Sequence, residues 1–80
     1  MSDPDQRLIQ CFAAVFPSLP EERIQNVSIE NVAEWDSLAT VTLAAVLGQE
    51  FGANIDVFDL PELRSFDDVR DYLEKHNLLA

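Results

Sequence analysis

The segment from Ser37 to Phe51 constrains the fold most, because its pattern predicts a helix that is apolar on two opposite sides. Asp36 is a good residue for the N-cap, and Gly52 is a good C-terminal stop, so both ends of this helix are predicted from local signals. Glu50 is the single charged residue within it. A helix of this kind is either packed on both sides or binds something with the second side.

Successive residues lie 100° apart around a helix, which separates the two apolar sides. The side predicted to face the core carries Thr40, Leu43, Ala44, Leu47 and Phe51. The other side carries a strip of smaller residues, namely Ser37, Leu38, Val41, Ala45 and Gly48. A chain of 80 residues can rarely cover both sides, so we favour partner binding by the strip and keep a fully packed helix as the alternative. A glycine inside a helix costs about 1 kcal/mol relative to alanine, so Gly48 indicates a close approach there.

The N-terminal part of the chain predicts one helix and a long connection. The helix runs from about Pro4 to Phe16, is capped by Asp3, and ends because Pro17 disfavours helical geometry in the residue before it. The connection covers residues 18–35, with room for one short turn starting at Pro20. Three of its apolar residues are predicted to be pinned onto the core: Val27, Ile29 and Val32.

The C-terminal part predicts a short third helix and a longer fourth one. Pro61 limits any helix between residues 53 and 64 to about one turn. The fourth helix is predicted from Phe66 to His76, with Ser65 and Asp68 at the spacing of a capping box. No alternating pattern is long enough for a strand, so the sequence predicts an all-α fold in a single domain spanning residues 1–80.

The charge of the chain restricts its partners. Fifteen acidic residues against five basic ones give a formal net charge of −10, which disfavours binding to nucleic acid. The charge suits binding to proteins with basic patches, and it equally suits a domain that is only kept soluble by it. No apolar run approaches the ~20 residues of a membrane span, and no signal-peptide pattern is present, so we expect a cytoplasmic protein that is not a membrane protein. We also expect a monomer. The single cysteine, Cys11, is predicted to be a buried structural thiol.

Enzymatic chemistry is not expected. The single histidine, His76, has no local catalytic motif with Ser37 or Cys11. Five acidic residues of the C-terminal half lack the spacing of an EF-hand loop, so no metal site is predicted at Asp56, Asp59, Glu62, Asp67 and Asp68. Ser37 itself stands where helix ends bind phosphates, although a serine there is usually part of a cap.

The run Glu34-Trp35-Asp36-Ser37-Leu38, followed by an apolar helix and Glu50-Phe51, resembles the attachment site of acyl carrier proteins. From about residue 31 to residue 77 the order of elements also fits that family. The resemblance implies a four-helix bundle with a long loop between helices 1 and 2 and a short helix 3. It implies no catalysis by the chain itself, but a carrier role in which acyl groups are held as thioesters.

The same resemblance assigns roles to individual residues. A phosphopantetheinyl transferase would move 4′-phosphopantetheine from coenzyme A onto Ser37, recognising Asp36 and Leu38 on either side. Acyl-loading and acyl-transfer or synthase enzymes would dock on Glu34, Leu38, Val41, Ala45 and Gly48. An acyl chain would lie among Leu43, Leu47, Phe51, Leu63 and Val69. Trp35 would either shield the arm or pack against the long loop.

The chain departs from fatty-acid carriers along the attachment helix. Those carriers usually have several acidic residues there, whereas this chain has Ala39, Thr42, Ala45 and Gln49. This difference favours a specialised carrier for a polyketide, peptide-type or modified-lipid pathway over a general carrier of fatty acid biosynthesis. The alternative hypothesis is a non-covalent helical interaction module that uses the strip of Leu38, Val41, Ala45 and Gly48.

Overall fold

The computed structural model describes residues 4–78, and this part of the chain is helical with no strand. Four α-helices are present: α1 (Pro4–Val15), α2 (Glu21–Ile24), α3 (Ser37–Phe51) and α4 (Phe66–Lys75). A 3-10 helix (Val57–Glu62) lies between α3 and α4. The prediction of an all-α structure is therefore confirmed for the described residues.

Helix α3 has the predicted bounds because both of its ends are fixed locally. The Asp36 carboxylate accepts a hydrogen bond from the backbone N–H of Ala39 at 2.8 Å. At the other end Gly52 has a φ of 66°, the left-handed conformation that ends helices and that favours glycine. The Asp36 cap thus places Ser37 at the first residue of the helix.

The outer helices differ from prediction by one residue each. Helix α1 ends at Val15, although the N–H of Phe16 still donates to the carbonyl of Phe12 at 2.8 Å. The proposed cap, Asp3, lies outside the described residues. Helix α4 ends at Lys75, and its N-terminus is capped as predicted, since the Ser65 hydroxyl accepts a hydrogen bond from the backbone N–H of Asp68 at 3.0 Å.

The long connection is held against the core along most of its length. Val27 and Val32 are buried and Ile29 is half-buried, as predicted. The backbone N–H of Ile29 donates to the carbonyl of Arg64 at 2.9 Å, and the N–H of Phe66 donates to the carbonyl of Val27 at 3.1 Å. This short antiparallel pairing joins the connection to the start of α4.

The 3-10 helix is longer than the single turn that Pro61 was predicted to allow. Six residues at about three per turn make two turns. Pro61 lies near the end of this helix, where the lost N–H removes one hydrogen bond without breaking the element. The Asp56 carboxylate caps it by accepting a hydrogen bond from the N–H of Phe58 at 3.0 Å, and the Tyr72 hydroxyl donates to the Asp59 carboxylate at 2.8 Å. The 3-10 helix is therefore capped at its N-terminus and joined to α4 by a side-chain hydrogen bond.

One hydrophobic core joins all four α-helices, and α1 packs directly against α3. Its eight largest fully buried side chains are Leu8, Phe12, Ile24, Leu43, Leu47, Leu63, Val69 and Leu73. Cys11 is buried beside them, as predicted, and burial together with the charge of Glu50 raises the pKa of its thiol to about 11. The thiol is therefore protonated and unreactive near neutral pH.

Candidate functional site

Ser37 stands exposed at the start of α3, with its hydroxyl available to a reagent in solution. No described residue makes a hydrogen bond to this hydroxyl. The neighbouring Asp36 carboxylate supplies the helix cap, so the serine side chain is not needed for capping. The interpretation of Ser37 as the N-cap of this helix is therefore wrong, because the N-cap is Asp36.

Trp35 fixes the chain immediately before this serine. The side chain of Trp35 is buried, and its ring packs edge-on to Phe12 with centroids 5.7 Å apart and lies 5.5 Å from the ring of Phe16. The indole N–H donates to the Thr40 hydroxyl at 2.9 Å. That hydroxyl donates in turn to the carbonyl of Asp36 at 3.1 Å. Trp35 therefore packs against two aromatic rings at the C-terminal end of α1, while the predicted packing on the long loop and the shielding of an arm stay predictions.

An open groove begins at Ser37 and follows α3 toward its C-terminal end. We call this the α3 groove. Ser37, Val41 and Ala45 line it on α3, and Val57, Leu60 and Pro61 line it on the 3-10 helix. Its two sections have volumes of about 380 and 400 Å³ and share Val41, Val57 and Leu60, which makes them continuous. The surface beside the serine hydroxyl is therefore mostly apolar.

The predicted strip on α3 is only partly an open surface. Leu38 is 73% exposed and Val41 51% exposed, so the alternative of a fully packed helix is wrong. Ala45 is also exposed, but Gly48 is half-buried. A Cβ on Gly48 would lie 2.9 Å from the carbonyl oxygen of Ala53, so the close approach that this glycine indicated is made by the chain's own backbone.

The residues predicted to hold an acyl chain lie mainly in the core. Leu43, Leu47 and Val69 are 0% exposed, and Leu63 is 1% exposed. Phe51 is half-buried beneath Arg7, whose guanidinium lies 4.7 Å from the ring centroid. Leu63 also lines a recess of about 270 Å³ next to Ser37. Entry of a chain among the other residues would require the helices to separate, so this assignment stays a prediction.

Two carboxylates, those of Glu34 and Asp36, come shortly before Ser37 in the chain. Glu34 is exposed and its carboxylate accepts a 3.4 Å hydrogen bond from the hydroxyl of Ser18. Within residues 4–78 no group of three or more potential ligands is arranged to hold a metal ion. The His76 ring packs against that of Tyr72 at an angle of 35°, with centroids 4.3 Å apart. Burial and the hydrogen bond to Asp59 raise the pKa of Tyr72 to about 12.

Sequence reasoning did not single out an exposed apolar pair on the 3-10 helix, of which Val57 lines the α3 groove. Val57 is 66% exposed and Phe58 is 86% exposed, both on the 3-10 helix that forms one wall of the α3 groove. An apolar pair in a short segment gives no periodic signal, so its exposure could not be read from the pattern.

Comparison of the chain with protein-family models, with curated proteins and with solved structures found no match. None of the helices between residues 4 and 78 has the length and apolar character needed to cross a membrane.

Proposed function

We propose that this chain is a carrier protein of the acyl carrier type, with Ser37 as the attachment site for 4′-phosphopantetheine. The observation that carries the proposal is the exposed, unbonded hydroxyl of Ser37 at the start of α3, opening onto the α3 groove. The proposal includes the bundle arrangement of the carrier family, in which α1, α3, the 3-10 helix and α4 correspond to its four helices.

The residues around Ser37 fit such an attachment. An exposed hydroxyl can enter the active site of another enzyme, which a buried serine could not do. The start of a helix favours the negative charge of a phosphodiester at that position. The buried Trp35 and the Asp36 cap hold the backbone before the serine, so the attachment point is rigid while the arm would be free.

The proposed attachment is a phosphoryl-group transfer. The Ser37 oxygen attacks the phosphorus of coenzyme A that carries the pantetheine group. The bond from that phosphorus to the bridging oxygen breaks, and adenosine 3′,5′-bisphosphate leaves. The hydroxyl proton passes to a base of the transferase, and the product is a phosphodiester on the serine. The terminal thiol of the arm would then hold an acyl group as a thioester for acyl-loading, acyl-transfer or synthase enzymes.

The experiment is intact-mass measurement before and after incubation with coenzyme A and a broad-specificity phosphopantetheinyl transferase. We expect the gain of one phosphopantetheine in the wild type and in Ser18→Ala, a control at another exposed serine. We expect no gain in Ser37→Ala. Cleavage after glutamate releases residues 35–50, in which Ser37 is the single serine, so the added mass can be located on that fragment.

A second candidate function is supported by the exposure of Leu38 and Val41. These side chains also suit a non-covalent module that docks on a partner helix. Such a module would keep its binding in Ser37→Ala and would gain no mass from any transferase. Absence of modification in a folded wild-type chain, tested with several transferases, would therefore favour the module over the carrier.

A further inference from the structure

Ser37 contributes to the lining of two openings that differ in charge. The α3 groove has no lysine or arginine among the described residues that line it. The recess of about 270 Å³ beside the same serine has one, since Arg64 is part of its lining. An anionic group attached to Ser37 therefore has a basic neighbour in the recess and none in the α3 groove.

Arg64 is available to bind an anion. Two of the five basic residues of the chain are held in ion pairs, Arg7 with Glu50 and Arg70 with Asp5. Arg64 is exposed, and its side chain makes no ion pair or hydrogen bond with any residue between 4 and 78. A guanidinium binds phosphate oxygens well, because its planar set of donors matches their geometry. A phosphate brought to the recess would therefore find an unoccupied partner.

The remaining lining of the recess is mostly apolar. Five of its nine residues have apolar side chains, namely Ile29, Trp35, Leu60, Pro61 and Leu63. Asp36 is the acidic residue in the lining, and its carboxylate already accepts the N–H of Ala39 in the helix cap. In 4′-phosphopantetheine the phosphodiester is followed by a carbon that carries two methyl groups. One basic residue together with apolar side chains matches the chemistry of this first part of the arm.

We propose that Arg64 binds the phosphodiester of the attached arm and directs the resting arm into the recess rather than along the α3 groove. This inference rests on the proposed function and concerns the same serine. The covalent bond to the Ser37 oxygen keeps the phosphate beside the recess, so binding is intramolecular and a single exposed guanidinium can bias the position of the arm. While the arm rests in the recess, the α3 groove stays open to a partner enzyme.

The experiment compares the proton–nitrogen NMR spectra of the apo and holo forms, with complete conversion to the holo form checked by intact mass. The single tryptophan of the chain lines the recess, so the indole N–H of Trp35 reports on it. The backbone N–H of Val57 reports on the α3 groove, both sections of which this residue lines. We expect attachment of the arm to shift the Trp35 signal more than the Val57 signal.

Three variants test the part of Arg64: Arg64→Gln, Arg64→Lys and Arg23→Gln. Loss of an exposed ion pair should lower the equilibrium constant for the arm in the recess about two- to fivefold, so the Trp35 shift should shrink in Arg64→Gln. Lysine keeps the charge and should restore part of the shift. Arg23→Gln removes the same charge at an exposed arginine that does not line the recess, and it should match the wild type. Circular dichroism checks that each variant is folded.

The outcomes distinguish this inference from the proposed function. Equal Trp35 shifts in wild type and Arg64→Gln would overturn the inference and leave the carrier function intact, and so would a larger shift at Val57 than at Trp35. Equal losses in Arg64→Gln and Arg23→Gln would also overturn it, because net charge rather than Arg64 would then hold the arm. A wild-type chain that no transferase converts to the holo form would overturn both. A wild-type Trp35 shift that shrinks at about 0.5 M salt would support the ion pair, because salt screens exposed charges.

Discussion

Gly48→Ala should change the free energy of unfolding in two opposite ways, through helix propensity and through a close contact with Ala53. Alanine is favoured over glycine in a helix interior by about 1 kcal/mol, so helix propensity alone predicts a more stable protein. The new Cβ, however, would lie 2.9 Å from the carbonyl oxygen of Ala53, closer than such atoms can approach. Relief of an overpacked contact typically costs about 1–3 kcal/mol. We therefore expect the free energy of unfolding to fall by about 1 kcal/mol.

The contact should be costly because the carbonyl oxygen belongs to backbone that cannot move freely. Gly52 turns the chain in the left-handed conformation just before Ala53. Ala53 and Ile55 are half-buried and pack against the core, so displacement of this segment disturbs other contacts. The same segment lines the far section of the α3 groove, where Gly48 also lies.

The assay is urea unfolding followed by far-UV circular dichroism, with thermal unfolding in parallel. A loss of about 1 kcal/mol would lower Tm by roughly 4–8 °C in a domain of this size. Ala45→Gly, at an exposed position of the same helix, measures the local propensity effect and should cost about 1 kcal/mol. A Gly48→Ala variant that is more stable than wild type by a similar amount would refute the reasoning, since it would show that the Ala53 carbonyl moves without cost.

Three further predictions concern contacts away from the groove. Arg7→Ala should lower the free energy of unfolding by about 1 kcal/mol in chemical denaturation, because it removes a 2.8 Å ion pair with Glu50 that is partly exposed. Tyr72→Phe should cost about 1 kcal/mol in the same assay, because the 2.8 Å hydrogen bond to Asp59 is lost. Between pH 9.0 and about 11 the Cys11 thiol ionises in the unfolded chain but not in the folded one, so stability should fall as pH rises. The fall should be smaller in Cys11→Ala, and equal slopes for the two proteins would contradict the pKa shift.

The elements with local end signals were predictable from the sequence. The bounds of α3 follow from Asp36 and Gly52, whose side-chain acceptor and backbone freedom act within three residues of the helix ends. The cap of α4 by Ser65 is local in the same way. The burial of Val27 and Val32 was also predictable, because apolar residues in a long connection must find the core of so small a chain.

The surface around Ser37 was decided by tertiary contacts. The sequence determined that α3 is apolar on two sides and begins at Ser37, but that pattern fits both a packed helix and an open one. The packing of the 3-10 helix beside α3 decided it, leaving Leu38 and Val41 exposed and turning Val57 and Phe58 outward. Gly48 is a second example. A glycine inside the helix predicted that some group approaches closely there, but only the tertiary structure shows that this group is the carbonyl of Ala53. Exposure depends on which elements meet across the chain, and that information is not contained in the spacing of residues along one helix.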